Sequence, residues 1–139
     1  MVTVTNVSWE RIHMLVDVET DEALNNPRFF LVNQYGEVKV EFRVLSHEGN
    51  CFHLTLNITN NGLNRCIGNG TYKLLLCNGT ELVRKATFEG TSETLAMWGR
   101  NFNYLTNTGV YTATFMIDEY SDDPELQILL YNTRTGTFS

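Results

Sequence analysis

Cys51-Phe52-His53-Leu54-Thr55-Leu56-Asn57-Ile58-Thr59 alternates between apolar and polar side chains, and the pattern returns at Tyr72, Leu74 and Leu76 before Cys77. Period-two alternation is the signature of a strand with one face buried. Between the two runs lies a polar segment, residues 60–69, followed by Gly70. It is too long for a tight hairpin turn and suits a chain crossing from one sheet to another. Residues 51–77 therefore predict a core unit of two long strands joined by such a crossing.

The flanks extend the pattern. Upstream, residues 37–45 carry Val38, Val40, Phe42 and Val44 inward against Glu37, Lys39, Glu41 and Arg43, which predicts one strand with a wet face. Residues 9–19 alternate likewise, with Ile12, Met14, Val16 and Val18 on one side, and read as the first strand. Asn25-Asn26-Pro27 breaks regular structure before a short strand over 29–33, and Gln34-Tyr35-Gly36 turns the chain. Downstream, Asn78-Gly79 is the dipeptide favoured in type I′ hairpins, so residues 81–88 should return as one partner strand.

Leu95, Trp98, Phe102 and Leu105 have helix-like spacing, but Gly99, Asn101, Asn103 and Asn107 are poor helix formers, and irregular strand is expected there. Asn107-Thr108-Gly109 turns into a strand bearing Tyr111, Ala113, Phe115 and Ile117. An acidic loop over 118–124 precedes a last strand at 126–131. About eight or nine strands with frequent turns predict a single all-β domain over 1–139, an antiparallel β-sandwich of immunoglobulin or fibronectin type, with a barrel as the alternative. The cysteine pair of an antibody-type domain is missing.

Composition narrows the function. A chain of 139 residues with 42% apolar content buries a real core, about 70% of its unfolded surface. No apolar run approaches the roughly 18 residues of a membrane span, so a soluble chain is expected. The first residues, Met1-Val2-Thr3-Val4-Thr5, lack the basic and apolar regions of a secretory signal. A net charge of −6, with ten Lys and Arg residues scattered along the chain, argues against nucleic acid as partner. Cys51, Cys66 and Cys77 cannot all pair within one chain and lack metal or redox spacing, which suits a reducing cytoplasm. Four Asn-x-Ser/Thr sites, at Asn6, Asn57, Asn69 and Asn78, leave a glycosylated adhesion-type domain as a further alternative.

No Gly-x-Ser-x-Gly elbow, phosphate loop or His-Glu-x-x-His motif occurs, so no enzyme is expected in this chain. His13, His47 and His53 have no local partner at ligand spacing and read as exposed histidines. The acidic loop has carboxylates enough for calcium but lacks the EF-hand pattern, and neither a metal nor another cofactor is expected. Trp98, Arg100 and Tyr104, with Tyr35, are the candidate ligand-binding residues, because aromatic rings beside a guanidinium suit a carbohydrate or peptide surface. Core packing is the competing expectation for Trp98.

Trp9-Glu10-Arg11-Ile12-His13, Phe29-Phe30-Leu31-Val32-Asn33, residues 52–59, Cys66-Ile67-Gly68-Asn69-Gly70-Thr71-Tyr72 and Arg100-Asn101-Phe102-Asn103-Tyr104 together resemble an accessory amino-terminal domain. That domain occurs in bacterial proteins of the CDP-glycerol:glycerophosphate glycerophosphotransferase type, which make teichoic acid and related envelope polymers. The resemblance implies a non-catalytic domain of a longer, cytoplasmic, membrane-associated transferase, whose catalytic histidines would follow Ser139. It implies docking to the catalytic region of the same parent chain, to partner enzymes or to the envelope polymer. A stand-alone carbohydrate-binding module is the alternative. No catalytic residue carries over to this chain.

Overall fold

A two-residue turn at Arg11 and Ile12 divides the first alternating segment into a hairpin of β1 (Val2–Glu10) and β2 (His13–Thr20), with Glu10 paired to His13. The computed structural model describes residues 1–22, 24, 26–36, 39–58, 70–78, 82–106, 109–117, 125–132 and 137–138. The single strand expected over 9–19 is thus corrected. Arg11 takes a left-handed conformation, φ 55°, without being the Gly or Asn that usually advertises one. A register shift between Val4 and Asn6 puts Val2, Val4 and Val7 in the core at unequal spacing, and this bulge hides β1 from a period-two reading.

Next come β3 (Arg28–Asn33), β4 (Lys39–Glu41) and β5 (Arg43–Glu48). The one strand expected over 37–45 is two, because the chain changes sheets at Phe42: β4 pairs with β3, and β5 pairs with β6 (Cys51–Asn57). Phe42 is buried at this corner, its N–H donating to the Phe29 carbonyl at 2.8 Å. A residue pointing inward at a corner points inward for both sheets, so the alternation runs through unbroken. Val44, expected inside, is 38% exposed on the edge strand, and Val38 lies outside the described residues.

The opening stretch forms as expected. Phe52, Leu54 and Leu56 are buried along β6 and Ile58 just beyond its end, and Tyr72, Leu74 and Leu76 are buried along β7 (Gly70–Asn78) in the other sheet. Each such side chain, fully buried, contributes on the order of 1.5–3 kcal/mol. The connection over 59–69 lies outside the described residues, as do the turn positions 79–81.

The return strand again divides at a corner. β8 (Leu82–Lys85) pairs with β7, and after Ala86 the short β9 (Thr87–Phe88) runs parallel to β1 in the opposite sheet. Ala86 is fully buried, with its N–H bonded to the Leu74 carbonyl at 2.8 Å.

The irregular strand expected around Trp98 is corrected to a short helix, α1 (Ser92–Met97), followed by β10 (Arg100–Thr106). Thr91 caps the helix by accepting from the Thr94 N–H, and Leu95 and Trp98 bury one side. The poor helix formers begin at Gly99, after the helix has ended. Gly99 is required there, since a Cβ would lie 2.8 Å from the Phe115 carbonyl oxygen.

β11 (Gly109–Ile117), β12 (Leu126–Asn132) and β13 (Thr137–Phe138) complete the chain. The result is an all-β sandwich of two sheets, ordered β5-β6-β2-β1-β9 and β10-β11-β12-β7-β3-β4, with β8 and β13 added to β7 and β12. Hairpins and corners raise the expected eight or nine strands to thirteen among the described residues. The first eight have immunoglobulin-type connectivity: β1-β2-β6-β5 follow the order A-B-E-D, and β4-β3-β7-β8 the order C′-C-F-G. The β10–β12 meander then joins the second sheet where β8 leaves off, with Leu126 to Ile128 pairing Tyr72 to Gly70.

Candidate functional site

Trp98 is 5% exposed and belongs to the core. Its carbonyl accepts from the Trp9 indole N–H at 3.0 Å, and the Trp9 ring packs against Phe115 at 5.0 Å. A ring so enclosed offers no face to a ligand. Arg100 begins β10 and is exposed, and Tyr104 lies farther along the same strand, paired through its backbone with Tyr111. The Tyr104 side chain is outside the described residues. Tyr35 is 74% exposed in the turn after β3.

The histidines do not converge. His13 is exposed, His47 stacks on Phe52 with ring centroids 5.4 Å apart, and His53 Nδ1 lies 2.7 Å from Asp17 Oδ1 across β6 and β2. Among the described residues no group of three or more His, Cys, Asp or Glu side chains could hold a metal ion. The acidic loop over 118–124 lies outside them. Cys51 and Cys77 are free thiols on different sheets. Of the Asn-x-Ser/Thr sites, Asn6 is exposed on β1 and Asn57 is half-buried on β6. No helix among the described residues is long and apolar enough to cross a membrane.

A more structured surface lies on the outer face of β4, β3, β7 and β8. Phe29 and Leu31 point into the core, so Phe30 and Val32 point away from it; Leu74 and Leu76 likewise leave Lys73 and Leu75 outside. Register aligns these into cross-strand rows. Glu41, Phe30, Leu75 and Lys85 make one row, and Lys39, Val32 and Lys73 the next. Lys39 Nζ sits 4.2 Å from the centre of the Phe30 ring, and the Arg28 guanidinium 5.1 Å from it. Both cations are drawn to the ring's negative face, and their stems shield it from water.

Arg28 also grips Glu41 through two hydrogen bonds, Nε to Oε2 at 2.8 Å and Nη2 to Oε1 at 2.7 Å. The guanidinium's hydrogen bonds hold the Glu41 carboxyl below the usual glutamate range, against a smaller opposing effect of desolvation. The same pairing raises the Arg28 pKa. At the other end of the face Lys85 is paired with Glu125 at 2.6 Å. Lys39 and Lys73 are exposed there.

Phe30, Val32 and Leu75 thus form an apolar strip bordered by Arg28, Lys39, Lys73 and Lys85, four of the chain's ten basic residues. Among the described residues of this face no base is paired with a nucleophile, and the arrangement suits recognition of a flexible anion with apolar segments. These cations appear scattered along the chain and only register unites them, which is why a linear search for a basic stripe passes over them. Lys39 and Lys73 at outward positions of alternating strands were the available signal.

No protein-family model matches the chain, and no curated protein matches it in sequence.

Proposed function

We propose that this chain is a non-catalytic accessory domain of a glycerophosphotransferase-like protein of envelope-polymer synthesis, and that it binds an anionic phosphodiester polymer of the teichoic acid type across the outer face of β4-β3-β7-β8. The resemblance supplies the parent class, and with it a cytoplasmic position at the inner face of the membrane. The observation that carries the binding role is the pair of cross-strand rows placing Lys39 and Lys73 on either side of Val32, beside Phe30 and Leu75.

Glycerol phosphate repeats alternate a negative phosphate with a short carbon chain, and the surface alternates cations with an apolar strip. Arg28 and Lys85 already hold carboxylates, so Lys39 and Lys73 supply most of the attraction. Binding per repeat is therefore weak and salt-sensitive, the Debye length being about 8 Å at physiological ionic strength. A long polymer gains by presenting many repeats to one site.

Titrating a defined glycerol phosphate oligomer into the protein tests this reading. Binding at low salt should weaken at least about tenfold in 0.5 M salt and fall similarly in Lys39→Ala/Lys73→Ala. Absence of binding at low salt, or full binding by the double variant, contradicts the surface assignment. Release of a cytidine nucleotide from CDP-glycerol by this chain alone contradicts its non-catalytic character.

A further inference from the structure

β5 closes one edge of the five-stranded sheet, and among the described residues no strand pairs with its free side. All six of its residues are exposed, including Val44 at 38% and Leu45 at 52%. Such an edge offers unpaired backbone donors and acceptors to another strand. It has neither lysine nor proline, the residues that most often blunt an edge; its protection is the charges of Arg43 and Glu48 and the bulge between Val44 and Ser46.

The sequence of β5, Arg43-Val44-Leu45-Ser46-His47-Glu48, is complementary to its own reverse. Antiparallel pairing of two copies, centred between Leu45 and Ser46, sets Arg43 opposite Glu48, Val44 opposite His47 and Leu45 opposite Ser46. Each arginine then meets a glutamate at both ends of the ladder, while any pairing that brings like charges opposite is penalised. The regular segments 43–44 and 46–48 lie on either side of the bulge and supply the ladder.

Shape agrees with charge. An open cleft of about 360 Å³ beside β5 is lined by Leu24, Pro27, Val44, His47 and Phe52. Val44 pairs with Leu54 and His47 with Phe52, so both belong to the core side of the strand. Residues directly opposite in a sheet share a face. The second copy's Val44, opposite His47, is therefore carried over this cleft, and the twofold axis repeats the contact in the other direction.

From this geometry we infer that the chain associates with a second copy of itself through β5, joining two five-stranded sheets into one across a twofold axis. The surface lies on the opposite sheet from the basic face and does not depend on the function assigned to it. A pair of six-residue edges is small beside the roughly 1,200–2,000 Å² of stable complexes and falls in the class of weak, transient contacts, so reversible association is to be sought over about 0.01–1 mM protein.

Sedimentation velocity over that range tests the inference. The mass should rise from 15.9 kDa toward twice that value. Arg43→Glu and Glu48→Arg should each remain monomeric with an unchanged thermal midpoint, because like charges then meet at both ends. Their equimolar mixture should form a heterodimer, since each glutamate regains an arginine partner. A chain that stays monomeric throughout, a dimer indifferent to either substitution, or single variants that fail to recombine would each overturn the proposal.

Discussion

Phe29 and Phe30 are adjacent in β3 and almost equally hidden, 0% and 7% exposed, yet they are buried by opposite means. Phe29 packs between the sheets, 5.4 Å from the Phe52 ring, among side chains that have no other place to go. Phe30 faces outward and is covered by the cationic side chains of Arg28 and Lys39, which can move away from it. The first burial makes the fold and the second makes a surface. Low exposure alone does not distinguish a core residue from a recognition residue; what covers it does.

The largest separation should come from truncating the two rings. Phe29→Ala should cost about 3–5 kcal/mol in chemical denaturation, since a cavity is left between sheets that cannot collapse. Phe30→Ala should cost only about 1–2 kcal/mol, because mobile side chains and water fill the space. Equal losses would mean that the outer face is as rigid as the core.

Lys39→Ala/Lys73→Ala should cost about 0.5–1 kcal/mol of stability, the cation–π contact of Lys39 with Phe30, while removing most polyanion binding. A large loss of stability in that variant would make the face structural. The smallest effect belongs to Glu41. Its folded-state pKa is depressed by Arg28, so its contribution is present above the ordinary glutamate range and disappears as pH falls through the folded value. Glu41→Gln should therefore lower the thermal midpoint near neutrality by under about 3 °C, the pair being exposed, and the difference from the unchanged protein should vanish in acid.

The same contrast explains what was legible in the sequence. Inward residues betray themselves by period: Phe52, Leu54 and Leu56, then Tyr72, Leu74 and Leu76, announce β6 and β7, and with them an all-β sandwich. Events that preserve inwardness leave no trace in the period. Phe42 and Ala86 are buried on both sides of a sheet change, so two strands read as one at each corner. Arg11 reverses the chain without turn chemistry, and the bulge near Thr5 breaks the rhythm that would have shown β1. The helix at 92–97 is hidden in the sequence by the glycine that directly follows it and the asparagines of the next strand.

The outer face was less legible because its members are far apart in sequence. Arg28, Lys39, Lys73 and Lys85 become neighbours only through the pairing of four strands. Trp98 shows the converse: its indole belongs to the core, although a lone tryptophan beside an arginine in the sequence suits a binding surface equally well.

The most direct test of the binding face is an amide-resolved NMR titration of the protein with a glycerol phosphate oligomer at low salt. Chemical-shift changes should be confined to the strands bearing Phe30, Val32, Lys39, Lys73 and Leu75 and be reversed by added salt. Changes centred on β10 at Arg100 and Tyr104, or none in the second sheet's outer strands, would contradict binding at this face.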